Sequence, residues 1–499
     1  MQVMQVVVDN RIRVPLEGLP RAARAQLELV FTYENPDVKK LKSLGFRRRL
    51  SPTICTWRYE SAAGEITFPR GGLGRVRAAM LAHGVDVSFV DRRSLGDRTV
   101  KIPPHRRDLW ACQVLMVEAA LAQQNCLWRS GQASGKTTAA IALASRVSLP
   151  TLVIVATGNL QEQWVRRATD ELGVRPRDVG VIRGPNTEIG RCGITVGMEQ
   201  TLRKRVGQLR GRFGVVIADE AQLFGAAGFE YVIDELDAKY RVGITGDERR
   251  ADRKEFLIYD QFGEVAAEIT NDELVAAGSV LEVEVRVVPT DFRADWYTSL
   301  THQQKVRKLD QLLKEMGKDV DRNAMVLQVL RSATAEGQQA VALTHRREHC
   351  HIIDSLAAGA GLRPGLLIGG QDYSAEFERT RSGFERGEIM VAVGTYQAIG
   401  VGFDVPSASI GVCMTPVANG ERGEMQFRQF RGRFARTCEG KEGAVLYYLW
   451  DRSVFGLRPV RNLKRWNKRV LVLDRDGWVP ASTYVKERTG NHQEDDDAA

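Results

Sequence analysis

The chain has 499 residues, 43% of them hydrophobic and 27% charged, more than one hydrophobic core organises, so two or three domains are expected. Its formal net charge of +9 favours a polyanionic partner, and no apolar run approaches the ~18 residues of a membrane span. Seven scattered cysteines without a CxxC pair argue against a disulfide framework or zinc ribbon and fit a cytoplasmic protein, and the opening MQVMQVVVDN does not read as a signal peptide.

In chain order, residues 1–100 read as a small α+β module. Alternating or β-branched runs predict strands at Val6–Val8, Gln26–Phe31, Thr53–Tyr59 and Val85–Val90, with helices at Asp37–Leu44 and Gly74–Ala82. Basic residues cluster there: Lys39, Lys40 and Lys42, then Arg47, Arg48 and Arg49, with Arg70 further on. Such a set fits contacts to duplex phosphates, against the plainer reading of a solvated surface. Trp57 and Tyr59 fall on one strand face by alternation and are expected in the core. The module is expected to select substrate, leaving a chain that starts near Asp97 able to hydrolyse nucleotide.

Residues 101–289 change to short apolar strands alternating with amphipathic helices, with buried parallel strands at Leu152–Ala156, Val215–Ala218 and Arg241–Thr245. Residues 290–335 read as a charged helical connection. A second strand–helix series fills 336–455, with strands at Ala340–Thr344, Met390–Val393, Ile410–Met414 and Val445–Leu449. Residues 456–499 form an extension with an acidic tail, predicted disordered. The fold class is α/β, with two tandem parallel-sheet lobes.

The segment Gly131-Gln132-Ala133-Ser134-Gly135-Lys136-Thr137 fits G-x-x-x-x-G-K-[ST] without a mismatch. Backbone N–H groups of Gly131, Ser134 and Gly135 would wrap phosphates, Lys136 would add charge, and the Thr137 hydroxyl would ligate Mg²⁺. An apolar strand then delivers Asp219 and Glu220, the carboxylates that Mg²⁺-dependent phosphoryl transfer from ATP requires. Asp219 would hold the metal and Glu220 would polarise the attacking water.

These residues resemble motifs I and II of superfamily 2 helicases, with DEAQ in place of DEAD or DEAH. The resemblance covers about residues 105–450 and implies two RecA-like lobes. It places Gln113 as an adenine reader, although Cys112 stands where the family usually has an aromatic. Thr157 and Gln200, in segments resembling motifs Ia and Ib, and Thr395 are implied nucleic-acid contacts. Thr245-Gly246-Asp247 takes the place of motif III. Gly402 and Asp404 fall in a motif V-like stretch, and Gln429-Phe430-Arg431-Gly432-Arg433-Phe434-Ala435-Arg436 matches motif VI. The motif implies catalytic roles for Gln429, Arg433 and Arg436, and the two arginines, three apart on a helix, share a face. Arg428 and Arg431 fit either a solvated or a DNA-binding face.

Within the superfamily the chain resembles XPB-like and phage UvsW-type branch-migration helicases. That implies a monomeric, ATP- and Mg²⁺-dependent motor that remodels branched or forked DNA. An RNA helicase and the motor subunit of a restriction or defence system are the alternatives. The cluster His345, His349, Cys350 and His351 is not read as a metal site, because proximity in sequence alone does not supply ligand geometry.

Overall fold

Alternation of apolar residues along Gln2–Val8, Arg11–Pro15 and Glu65–Pro69 builds one half-buried sheet, because successive side chains leave a strand on opposite faces. The computed structural model describes residues 2–38, 50–131, 133–223, 227–246, 249–250, 252–370, 373–400 and 406–489. Lys39 to Arg49, most of the expected helix Asp37–Leu44, Asp247, Gly402, Asp404 and the acidic tail lie outside the described residues. The chain divides into two units, Met1–Asn271 and Asp272–Ala499.

The first unit opens with a sheet in the order Arg58–Glu60, Glu65–Pro69, Arg11–Pro15, Gln2–Val8, Val85–Asp91. The first and last of these strands in the chain, Gln2–Val8 and Val85–Asp91, pair in parallel along their whole length. Val6, Ile12, Val14 and Phe68 are buried beneath Leu27, Phe31, Val76 and Met80. The expected strand Gln26–Phe31 is instead the end of a helix, Arg21–Val30. Ala23, Leu27 and Phe31 recur every four residues and form one buried stripe, a helical period hidden in a short apolar run. The run Thr53–Tyr59 splits into strands Thr53–Cys55 and Arg58–Glu60, which join different sheets. Trp57 packs against the core, whereas Tyr59 stays 38% exposed, with its hydroxyl bonded to Arg24.

This module is joined to the following sheet by buried polar contacts. Arg70, expected to meet phosphates, is 2% exposed and donates to Asn125 Oδ1 (2.9 Å) and to the carbonyl of Ala238 (2.6 Å). That correction has a simple cause: a buried guanidinium with filled donors cannot reach a ligand. Asp234 accepts from Arg11 (2.6 Å), Arg58 (2.8 Å) and Gln261 (3.1 Å). Asp260 accepts from Tyr33 (2.7 Å), Thr56 (2.6 Å) and Arg75. Gly71 is pressed so closely on the helix Phe256–Phe262 that a Cβ would lie 2.3 Å from the Tyr259 carbonyl oxygen, so only glycine fits.

The second sheet of this unit has the order Asn186–Thr187, Gly180–Arg183, Ile194–Met198, Thr151–Val155, Val215–Ala218, Tyr240–Thr245, Asn125–Ser130, Val265–Ile269. All its pairings are parallel except the short Gly180–Arg183 with Asn186–Thr187. The inner strands are buried on both faces, as crossover helices require.

The second unit carries a sheet in the order Pro364–Leu367, Val391–Thr395, Gln339–Thr344, Ala408–Cys413, Ala444–Asp451, Val283–Thr290, Val470–Asp474, Gly477–Pro480. Two expected boundaries move. Val283–Thr290, read as the end of the first lobe, pairs in parallel with Ala444–Asp451 and Val470–Asp474. The stretch from 456 contributes Val470–Asp474 and Gly477–Pro480 to the same sheet and is not an appendage. Arg322, in the helix Val320–Ala335 of the connection, is buried against Asp451 (2.7 Å) and the Met414 carbonyl (2.6 Å), which ties that helix to the sheet.

Candidate nucleotide-binding and hydrolysis site

Strand Tyr240–Thr245 lies between Val215–Ala218 and Asn125–Ser130, with parallel pairing on both sides. The phosphate loop, the acidic pair and Thr245 therefore leave the carboxyl ends of three neighbouring strands, where open α/β sheets bind ligands. The loop is bent through left-handed backbone at Ala133 (φ +65°) and Gly135 (φ +73°), and leads into the helix Lys136–Val147. At Gly135 a Cβ would sit 2.1 Å from Gln113 Nε2. The first-turn N–H groups, which have no acceptor within the helix, and its positive dipole end suit the loop to an anion. Lys136 Nζ donates to the carbonyls of Ser130 (2.9 Å) and Gly131 (3.0 Å). The hydroxyls of Ser130 and Ser134 are buried without a hydrogen-bond partner among the described residues, so the loop retains polar capacity that a phosphate would use. Thr137, the second helical residue, is half-buried beside Lys136.

Asp219 is 8% exposed; its Oδ2 accepts from Trp164 Nε1 (2.7 Å) and its Oδ1 from the backbone N–H of Glu220 (3.0 Å). Burial first, then the neighbouring Glu220 carboxylate, pushes its carboxyl up to about 6. A divalent ion beside such a carboxyl would favour its charged form. Glu220 is itself left-handed (φ +55°), a strained setting for a side chain at a site of chemistry. Gln222 joins it to Thr245: its Nε2 donates to Glu220 Oε2 (2.5 Å), and its Oε1 accepts from the Thr245 hydroxyl (2.5 Å). Neither Trp164 nor Gln222 stood out as a site residue in the sequence. The available signal was their position at the end of one motif and inside another.

Gln113 is 3% exposed, accepts from the Trp110 N–H (2.9 Å) and donates to the Ser134 carbonyl (3.4 Å), so its amide braces the phosphate loop. The site does have an aromatic: Trp110, 42% exposed, stands three residues before Gln113 and borders Gly135. Thr157 caps the helix Gly158–Leu172 through its hydroxyl, and Gln200 is exposed on the short helix Glu199–Leu202.

In the second unit, the helix Gly420–Phe434 buries Phe427, Phe430 and Phe434 and leaves Gln429 and Arg433 half-buried, with Arg436 just beyond its end. Arg428 pairs with Glu424 (2.7 Å). Arg431 is neither solvated nor free for DNA: it donates to Asn467 Oδ1 (2.9 Å), and burial, then Arg428, lowers it to about 10. Thr395 closes its strand by accepting from the Ala398 N–H (3.3 Å). His349 bonds Thr344 and Asn323 (3.0 Å each), while His345 bonds Thr415 (2.9 Å).

Comparison with known proteins agrees with this geometry. The family model described as "Type III restriction enzyme, res subunit" matches residues 113–247, which hold the loop, the acidic pair and Thr245. The chain is 25% identical over 411 residues to "Probable helicase D10" of Escherichia phage T5, covering 80% of this chain and 81% of that one. It is 26% identical over 197 residues to "DNA 3'-5' translocase XPB2" of Sulfurisphaera tokodaii, covering 40% of this chain and 42% of that one. The fold matches S. cerevisiae Dbp5 L327V bound to RNA and ADP BeF3 at TM-score 0.55 and 13% identity, over 77% of this chain and 92% of that one.

A phosphate loop and an acidic pair on one parallel sheet, followed by a second α/β sheet, define an ATP hydrolase with tandem RecA-like lobes. With the sequence matches, the chain resembles superfamily 2 helicases and, among them, the XPB-like translocases. Among the described residues no helix is long and apolar enough to cross a membrane.

Proposed function

We propose that the protein is an ATP- and Mg²⁺-dependent translocase that remodels branched DNA. One observation carries this reading: Lys136, after Asn125–Ser130, and Asp219 and Glu220, after Val215–Ala218, follow the two strands that flank Tyr240–Thr245 in one sheet, in the part of the chain that matches helicases and a DNA translocase. In this reading Lys136 and the loop N–H groups hold the phosphates, Thr137 and Asp219 hold Mg²⁺, and Gln113 and Trp110 flank the base. Bound Mg²⁺ would supply charge neutralisation at the phosphates. Glu220 orients and deprotonates the attacking water, and Gln222 ties that carboxylate to Thr245. The motif VI resemblance gives Gln429, Arg433 and Arg436 catalytic roles, with the arginines stabilising charge on the transferring phosphoryl group. Thr157, Gln200 and Thr395 contact the nucleic acid, as do Arg47 and Arg48.

ATP turnover measured against single-stranded DNA, duplex, fork, four-way junction and RNA tests this directly. Strongest stimulation by fork or junction is expected; stimulation by RNA alone would replace the reading with an RNA helicase.

Glu220→Gln should bind ATP and DNA but hydrolyse at least ~10²-fold more slowly, because it keeps the shape and removes the base. Single-turnover hydrolysis at the wild-type rate would remove Glu220 from this role. Arg433→Ala and Arg436→Ala should each lower turnover by ~10³-fold while changing ATP affinity far less, since guanidinium charge matters most in the transition state. Lost ATP affinity with unchanged turnover would assign them to ground-state binding.

A further inference from the structure

Between Arg452 and Arg469 the chain carries Arg452, Arg458, Arg461, Lys464, Arg465, Lys468 and Arg469 and no acidic residue. The helix Arg458–Trp466 sorts these residues by face: Pro459, Val460, Leu463 and Trp466 are buried, while Arg458, Lys464 and Arg465 are exposed. Trp466 packs on Phe427 of the helix Gly420–Phe434 (ring centroids 5.9 Å apart), and Asn467 accepts from Arg431 of that helix (2.9 Å). Asn462 donates to Asn419 Oδ1 (3.3 Å), at the start of the same helix. Lys468 and Arg469 are paired with Asp272 and Glu284 (2.7 Å each), and Arg452 with Asp291 (2.8 Å). The charge on the outer face of the helix therefore comes from Arg458, Lys464 and Arg465.

We propose that this face is a nucleic-acid contact of the second unit, gripping the sugar–phosphate backbone of duplex DNA without reading sequence. The proposal rests on the translocase reading above. A basic amphipathic helix also suits an acidic membrane, but that use needs a free apolar face. Here the apolar face is spent on the core, leaving an anionic backbone as the complementary partner. Arg458 and Arg465, two turns and about 10 Å apart on one side of the helix, with Lys464 beside them, offer charge to successive phosphates, and no contact to base edges is implied. The same helix rests on the one that carries Gln429 and Arg433, so DNA held here is gripped by a helix packed directly on the element bearing those residues.

The test compares the full chain with the triple variant Arg458→Gln, Lys464→Gln, Arg465→Gln and with the charge-keeping variant Arg458→Lys, Lys464→Arg, Arg465→Lys. Duplex DNA affinity is measured from 50 to 300 mM salt, alongside circular dichroism and thermal unfolding. The glutamine variant should fold normally, bind at least ~10-fold more weakly at 100 mM salt, and lose roughly 2–3 units of the log–log salt slope, about 0.9 per phosphate contact. The charge-keeping variant should retain both affinity and slope. Equal affinity and slope in the glutamine variant, with the wild type binding DNA, would overturn the proposal and leave the translocase reading intact. A wild type that neither binds DNA nor is stimulated by it would overturn the translocase reading and this proposal together. Loss of binding to phosphatidylglycerol vesicles with DNA binding unchanged would assign the face to lipid and overturn it.

Discussion

Replacing Lys136 with alanine is expected to lower ATP turnover by on the order of 10³-fold while the protein keeps its fold. The ammonium group lies at the mouth of the loop, bonded to the Ser130 and Gly131 carbonyls, which is a staging position for a phosphate rather than a packing role. Removing a preorganised donor aimed at developing charge has costs of this order in other sites. Phosphate release under saturating ATP and DNA is the measurement, with thermal unfolding as the control for folding. Turnover within a few-fold of wild type would remove the hydrolysis site proposed above.

Deleting residues 1–96 is expected to abolish folding of the first unit, and Arg70→Ala alone to destabilise it by about 1–3 kcal/mol. The sequence alone suggested the opposite, a free-standing module that could be removed without touching hydrolysis. The contacts of the module change that expectation. Deletion would strip Asp234 of Arg11 and Arg58, strip Asp260 of Tyr33, Thr56 and Arg75, and leave the Ala238 carbonyl without Arg70. Buried carboxylates deprived of partners are among the costliest defects a core can contain. Arg241, on the strand that ends in Thr245, also loses the Asn10 carbonyl (3.2 Å). Expression and size-exclusion profile of the truncated protein, and the urea midpoint of Arg70→Ala, are the readouts. A soluble monomeric fragment that hydrolyses ATP would restore the view of a detachable module.

The two halves of this molecule were unequally legible. The phosphate loop and acidic pair could be read because their chemistry depends on local spacing: five residues set the backbone bends, and one apolar strand sets the carboxylates. The tandem sheets followed from alternating strands and helices. Long-range pairing was not legible. Val283–Thr290 belongs to the second sheet because its partners are Ala444–Asp451 and Val470–Asp474, strands more than 150 residues away. Arg70 looked like any basic surface residue, since nothing near it in sequence announces the Ala238 carbonyl. The glycine after it was the better clue, because close backbone approach is one of the few reasons to require Gly71. Within the site, Trp110 lay two residues before Cys112, the position where an aromatic was sought, and only the helix start beside the loop brings it there.

The parallel pairing of Gln2–Val8 with Val85–Asp91 has a consequence for how the protein is made. Its N-terminal sheet is complete once Asp91 has left the ribosome, before any strand of the next sheet exists. Domains generally form in that order during synthesis. Arg11, Arg58, Arg70 and Arg75 are then already carried on that sheet and its helix when Asp234, Ala238 and Asp260 emerge to meet them. The opening domain is therefore expected to act as a resident template, a folding guide for the lobe that follows it.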